Sequence, residues 1–112
     1  MKKIFALLAV ALSFNAFAGN IEAGKAAAQK YNCASCHGAD YQSPVDPSYP
    51  KLAGQHADYL EHALTAYQRG ASGANGRGNA IMGGMAKPLS KTEIKDIAAY
   101  LSSLPGSLVL RK

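Results

Sequence analysis

Residues 31–41 read YNCASCHGADY and contain both cysteines of the 112-residue chain. Cys33 and Cys36 lie three positions apart, and His37 follows the second cysteine directly. Two thiols and an imidazole within one short segment can act as metal ligands, as nucleophiles or as a redox pair. The surrounding sequence has to decide among these chemistries.

The first eighteen residues have the composition of an export signal. The chain opens MKKIFALLAVALSFNAFAGN, with Lys2 and Lys3 before a short apolar run and small residues at Ala16 and Ala18. This order predicts a secretory signal peptide over residues 1–18, cleaved after Ala18. The apolar run is shorter than the about 20 residues that cross a bilayer, which argues against a transmembrane anchor.

The remaining residues 19–112 have the length of one small domain. The net charge of +5 falls to +3 once Lys2 and Lys3 are removed, which is only mildly basic. No run of Lys and Arg interleaved with aromatic residues is present, so we expect no nucleic-acid partner. The core of so small a domain is limited, and a bound cofactor would help to complete it.

Three segments have helical patterns. Residues 21–31 are rich in alanine and other good helix formers, and residues 56–70 repeat apolar side chains at helical spacing. The clearest helix lies in residues 90–106, where Ser90 and Glu93 have the spacing of a capping box. No alternation typical of strands appears, so the sequence predicts an all-α fold.

The two segments between these helices have loop compositions. Residues 38–55 contain three prolines, which exclude a regular helix. Residues 70–88 contain six glycines in nineteen positions, and glycine allows a backbone to approach a ligand closely. Met82 and Met85 both lie in this second predicted loop.

Four interpretations of the cysteines compete. A thioredoxin-like dithiol requires a βαβ setting, whereas here a helix precedes the motif and strands are missing. A zinc site could add His56 and His62, but the cysteine-to-histidine spacing is too long, and histidines six positions apart point to different faces of a helix. A disulfide between Cys33 and Cys36 would close a very small loop and stabilise little.

Covalent haem attachment, the fourth interpretation, accounts for all three side chains together. Cys-x-x-Cys-His is the attachment signature of c-type haem. Each thiol would form a thioether with one haem vinyl group, and His37 would offer an imidazole nitrogen to the iron. The predicted export agrees with this interpretation, since bacterial c-type cytochromes mature outside the cytoplasm.

Beyond the attachment motif, the chain resembles the class I c-type cytochromes over essentially all of residues 19–112. CASCHG resembles their attachment site, and YPKLAGQHADYLEHAL resembles the stretch that follows it in one half of the bacterial dihaem cytochromes c. MAKPLSKTEIKDIAAYLSSLPG resembles their C-terminal helix and its approach. The resemblance implies the class I cytochrome c fold, with N- and C-terminal helices crossing and loops wrapping one covalently attached haem c.

The sixth iron ligand has several candidates. From the residues alone, Met82 and Met85 could each supply a sulfur, and His/Met ligation raises the reduction potential; His56, His62 or an open site are the other options. The resemblance implies Met82, because the family places its ligand seven residues before the apolar residue that precedes the last helix, here Leu89. Met85 would then pack near the haem.

Other residues are implied to support the haem. A metal-bound histidine usually donates its second N–H to an acceptor, and the family's proline carbonyl corresponds to Pro50. Leu52 would pack on the haem, and Tyr100 and Leu101 would cross the first helix near residues 24–28. Three further tyrosines are candidates for the pocket, namely Tyr49, Tyr59 and Tyr67.

The function implied by the resemblance is that of a periplasmic electron carrier, not an enzyme. The iron would cycle between Fe(II) and Fe(III) in a respiratory chain, with His37 and Met82 as axial ligands. We expect redox partner proteins, including a membrane oxidase or reductase, and a monomer or weak dimer without a transmembrane segment after cleavage. Lys51 and Lys87 are candidates for contact with an acidic partner. The alternative is a haem domain with an exchangeable sixth site, as in a sensor, a peroxidase-like protein or a subunit of a larger oxidoreductase.

Overall fold

Residues 19–107 are described by a computed structural model, and the predicted signal peptide over residues 1–18 lies outside them. In the described part the regular structure is entirely helical, which confirms the predicted all-α fold. No helix there has the length and apolar character needed to cross a membrane. The helices are α1 (Ile21–Lys30), α2 (Ala34–His37), α3 (Ala57–Arg69), α4 (Ala80–Ala86) and α5 (Lys91–Ser103), and Gly70–Ser72 form a 3-10 turn.

Side-chain caps fix where the outer helices begin. At the start of α1, the Asn20 Oδ1 accepts the Ala23 N–H at 2.9 Å. At the start of α5, the Ser90 Oγ accepts the Glu93 N–H at 3.0 Å, and the Glu93 Oε1 accepts the Ser90 N–H at 3.1 Å. This is the capping box that the sequence predicted. α1, α3 and α5 each lie inside one of the three predicted helical segments.

α1 and α5 cross at Gly24, where the two backbones almost touch. A Cβ atom at Gly24 would lie 1.9 Å from the Asp96 carbonyl oxygen and 2.8 Å from the Tyr100 Cβ. A side chain at this position would therefore push the helices apart. The predicted crossing is confirmed, with Gly24 as the crossing residue. The buried side chains that the two helices contribute to the core are Ala27, Ala28, Ile94, Ile97, Ala98 and Leu101.

Tyr41 anchors the proline-containing loop to this core. Its side chain is buried, and its ring meets the Tyr100 ring edge-on, with centroids 6.0 Å apart. The Tyr41 carbonyl oxygen accepts the N–H groups of Leu52 and Ala53 at 2.8 and 3.0 Å. The loop over residues 38–55 is thus irregular but has a fixed path, which determines where Pro50 lies.

The glycine-rich segment departs from the sequence prediction. We predicted a loop over residues 70–88, but Ala80–Ala86 form α4. The Asn79 Oδ1 accepts the N–H groups of Ile81 and Met82 at 3.0 and 2.9 Å, which starts the helix. This cap, and the packing of the buried Ala86, outweigh the low helix propensity of Gly83 and Gly84. The loop prediction was wrong for these seven residues.

The crossing can be tested with Gly24→Ala. The new methyl group would overlap the Asp96 carbonyl oxygen, so we expect the free energy of unfolding to fall by about 1–3 kcal/mol. Gly73→Ala is the matched control, because a Cβ there meets nothing within 4 Å and its backbone is extended. Chemical denaturation measures both variants. Equal stabilities for the two would contradict the tight crossing.

The capping box predicts a pH dependence. The Ser90 N–H donates to Glu93, as does the Tyr31 hydroxyl at 3.2 Å, and these bonds lower the pKa of Glu93. A lowered pKa stabilises the folded state above the unfolded value of about 4.3, and the contribution is lost as the pH falls through the folded pKa. Glu93→Gln should therefore flatten the acid limb of stability against pH. An unchanged limb would show that the ionisation of Glu93 contributes nothing measurable to stability.

Candidate functional site

Cys36 and His37 belong to α2, and Cys33 is the residue that precedes this helix, shortly after the end of α1. Asn32 adopts a left-handed backbone conformation, with φ +55°, and reverses the chain between the helices. The Cys33 N–H then donates to the Ala28 carbonyl oxygen at 3.1 Å, which folds α2 against the end of α1. Both cysteines are partly exposed free thiols. Burial raises the pKa of the Cys33 thiol.

His37 is 7% exposed and has a defined orientation. Its Nδ1 lies 2.9 Å from the Pro50 carbonyl oxygen, where the sequence placed an acceptor. Because a carbonyl oxygen only accepts, the Nδ1 carries the hydrogen and donates it. In this tautomer the Nε2 carries a lone pair and can bind another partner. The Tyr49 ring lies beside the imidazole, with centroids 6.3 Å apart.

One cleft brings the predicted site residues together. It encloses about 1280 Å³ of space when its open mouth is included. The predicted residues that line it are Cys33, Cys36, His37, Pro50, Leu52 and Met82, together with Met85 and the tyrosines at 49, 59 and 67. Its apolar wall includes Leu60, Leu64, Leu89, Ile97 and Leu101.

α4 carries both candidate methionines into this cleft. Met82 lies in the first turn of α4 and is partly buried, while Met85 lies one turn later and is 38% exposed. Gln68, on α3, donates through its Nε2 to the carbonyl oxygens of Ala86 and Leu89, at 2.8 and 2.7 Å. α4 is thereby attached to α3 at its C-terminal end.

Arg77 is the permanently charged residue among those that line the cleft. Its guanidinium carbon lies 5.5 Å from the Tyr59 ring centroid and 5.7 Å from the Tyr67 ring centroid. Hydrogen bonding to the Tyr59 and Tyr67 side chains raises the pKa of Arg77 still further. Among the described residues that line the cleft, Arg77 is thus the one cationic side chain on an otherwise uncharged wall.

The geometry does not support the zinc interpretation. In residues 19–107 no three His, Cys, Asp or Glu side chains come together in a way that could hold a metal ion. His56 precedes α3, and the His62 Nδ1 donates to the Asp58 carbonyl oxygen of its own helix at 2.7 Å. Neither histidine lines the cleft that contains Cys33 and Cys36.

The donor set of the cleft fits a haem c. Cys33 and Cys36 are free to form thioethers, and the Nε2 of His37 is available to an iron because the Nδ1 is engaged. Met82 and Met85 offer thioether sulfurs in the same cleft. The aliphatic and aromatic walls suit a flat apolar ring, and the open mouth can admit its polar edge.

Comparison with known proteins assigns the family. The Cytochrome c family model matches residues 21–105, from the start of α1 to just beyond the end of α5. The chain belongs to the cytochrome c family. Its members bind haem c covalently, and the fold described above is the class I cytochrome c fold.

Individual relatives agree with this assignment. Cytochrome c4 of Stutzerimonas stutzeri is 40% identical over 96% of this chain, and cytochrome c-554(548) of Halomonas halodenitrificans is 48% identical over 63%. Crystalline reduced cytochrome c4 from Pseudomonas stutzeri matches with a TM-score of 0.69 and 40% identity, over 81% of this chain. The chain spans 53% of the first relative, 82% of the second and 48% of the solved chain.

Sequence reasoning missed three residues that shape the site, Gln68, Arg77 and Asn79. Asn79 stands directly before α4 and has the identity of a good N-cap, so the signal was present but was obscured by the glycines that follow. Gln68 and Arg77 gave no such signal, because their contacts join distant parts of the chain. Lys51 and Lys87, the predicted partner contacts, are both exposed and lie outside the cleft lining.

Whether either of the two histidines outside the cleft binds the iron can be tested with His56→Ala and His62→Ala. Because neither side chain lines the cleft, we expect the haem spectrum and the reduction potential of both variants to match those of the unmodified protein. Optical titration of the potential provides the measurement. A lost or displaced haem band in either variant would show that the substituted histidine reaches the iron.

Proposed function

We propose that this chain is a small periplasmic cytochrome c that carries one electron at a time on a single covalent haem c in a respiratory chain. The observation that carries the proposal is the convergence of two thiols, an oriented imidazole and a thioether in one apolar cleft. The family assignment supports the cofactor. Export by the signal peptide over residues 1–18, with cleavage after Ala18, would place the protein in the periplasm.

Each site residue has a distinct role in this proposal. Cys33 and Cys36 attach the haem through thioethers, and His37 and Met82 are the axial ligands. The haem supplies the Fe(II)/Fe(III) couple. The Pro50 carbonyl oxygen orients the His37 ring by accepting the Nδ1 hydrogen. This hydrogen bond makes the Nε2 of His37 a stronger electron-pair donor to the iron.

The wall of the cleft controls the environment of the redox centre. Its aliphatic side chains, including Leu52 and Leu101, keep water away and lower the local dielectric, which favours the less charged reduced state. A thioether ligand acts in the same direction, because it stabilises Fe(II) relative to Fe(III). The protein is therefore suited to accept an electron at a relatively high potential.

Partner contact belongs at the mouth of the cleft. Tyr59, Ile81 and Met85 all line the cleft and are large side chains that remain 48%, 56% and 38% exposed. Such an apolar rim suits a small, transient interface with redox partner proteins. One relative, 41% identical over 68% of this chain, is named thiosulfate dehydrogenase electron acceptor, which supports a carrier over a catalytic role. We expect a monomer or weak dimer.

The ligand assignment is tested with Met82→Ala in protein matured with haem. We expect the sulfur-to-iron charge-transfer band of the ferric protein to disappear and the potential to fall by an appreciable part of the roughly 0.8 V that axial ligands span. Haem should remain attached after denaturation, because Cys33 and Cys36 are unchanged. Met85→Ala is the control and should keep the band.

Two results would overturn parts of this proposal. Loss of the band in Met85→Ala but not in Met82→Ala would move the axial role to Met85. A high-spin ferric spectrum in the unmodified protein would favour the exchangeable sixth site of a sensor or a peroxidase-like protein.

A further inference from the structure

α4 is a helix with little stabilisation of its own. It has seven residues, and helices shorter than about 12–15 residues are marginal in water without external contacts. Of its residues only Ala86 is buried. A Cβ at Gly84 would meet nothing within 4 Å, and one at Gly83 would meet only the Tyr67 carbonyl oxygen, at an ordinary 3.8 Å. Packing therefore requires neither glycine, and both weaken the helix that carries Met82.

Hydrogen bonds from two side chains hold this helix at its ends. At the N-terminal end, the Asn79 Oδ1 accepts the N–H groups of Ile81 and Met82, the second of which belongs to the proposed ligand itself. At the C-terminal end, the Gln68 Nε2 donates to the carbonyl oxygens of Ala86 and Leu89. Gln68 belongs to α3, so its bonds also set the position of α4 against that helix.

The segment before Asn79 is itself fixed to α3. The Arg77 N–H donates to the Ala66 carbonyl oxygen at 3.0 Å. The Arg77 guanidinium lies over the rings of Tyr59 and Tyr67, both on α3, and its Nη2 lies 3.4 Å from the Tyr59 hydroxyl. The cap provided by Asn79 thus acts from a segment whose position is already determined.

We infer that Asn79 and Gln68 are positioning residues for Met82, which hold α4 at both ends so that its sulfur stays on the iron. The inference rests on the proposed axial role of Met82. On this inference the two side chains stabilise the coordination of the iron by the Met82 sulfur, although neither touches the iron. Weakening either end should make Met82 easier to displace.

Competition with exogenous imidazole measures this coupling. Imidazole that occupied the sixth coordination site of the iron would displace the Met82 sulfur, and α4 would then no longer be held in its ligated position. A variant that destabilises only the ligated arrangement therefore raises the apparent affinity for imidazole by the same factor. Loss of an N-cap weakens a helix by an amount equivalent to a factor of roughly 2 to 30.

The experiment compares imidazole titrations of the haem-loaded protein and its variants. Asn79→Ala should bind imidazole roughly 2- to 30-fold more tightly, and Gln68→Met, which removes both donated bonds, should shift the affinity in the same direction. Asn79→Ser keeps a capping oxygen without adding charge and should stay near the unmodified affinity. If Asn79→Ala matures poorly, Asn79→Gly gives a smaller cap loss and a smaller shift.

The possible outcomes separate this inference from the proposed function. Unchanged imidazole affinity in Asn79→Ala and Gln68→Met, with only a lower unfolding temperature, would assign these residues a purely structural role and overturn the inference. Met82→Ala, titrated alongside, tests the ligand itself. If that variant keeps the sulfur band and the affinity of the unmodified protein, the axial assignment fails. An unchanged affinity in Asn79→Ala and Gln68→Met alone leaves the axial assignment intact.

Discussion

The hydrogen bond between the His37 Nδ1 and the Pro50 carbonyl oxygen is the interaction on which the site depends. It connects α2 to a loop residue thirteen positions later and fixes both the tautomer and the rotation of a buried ring. The two partners are held separately. α2 is folded against the end of α1, and α1 in turn packs closely against α5 at Gly24. The loop that carries Pro50 is hydrogen-bonded to the carbonyl oxygen of the buried Tyr41. The orientation of the imidazole is therefore determined by the core of the protein.

The two sides of the cleft are held by different means. The His37 side belongs to the core, where the crossing of α1 and α5 leaves no room for a side chain at Gly24. The Met82 side is a short helix with one buried residue, held mainly by hydrogen bonds at its ends. This asymmetry suits the proposed redox centre, in which His37 would be the permanent ligand and Met82 would set the potential, because small changes in α4 would alter the position of the sulfur without disturbing the core.

The sequence predicted the features that depend on local patterns. The attachment motif, the three longer helices and the capping box at Ser90 are each specified by residues close together in the chain. Gly24 could be placed only approximately, because the close approach of α1 and α5 depends on how the helices cross. α4 was missed because the propensity of Gly83 and Gly84 obscured the N-cap signal of Asn79, and because the bond from Gln68 joins distant parts of the chain. Arg77 was missed for the same reason, since its partners Tyr59 and Tyr67 lie on α3.

We propose that one haem, attached at Cys33 and Cys36, is bound between His37 and Met82. Proton NMR of the reduced, haem-loaded protein tests this most directly, since a methionine methyl group bound to low-spin Fe(II) lies above the ring and shifts strongly upfield. We expect one such three-proton signal, assigned to Met82 and absent from Met82→Ala. A spectrum without that signal, or one in which it belongs to Met85, would show that Met82 is not the axial ligand.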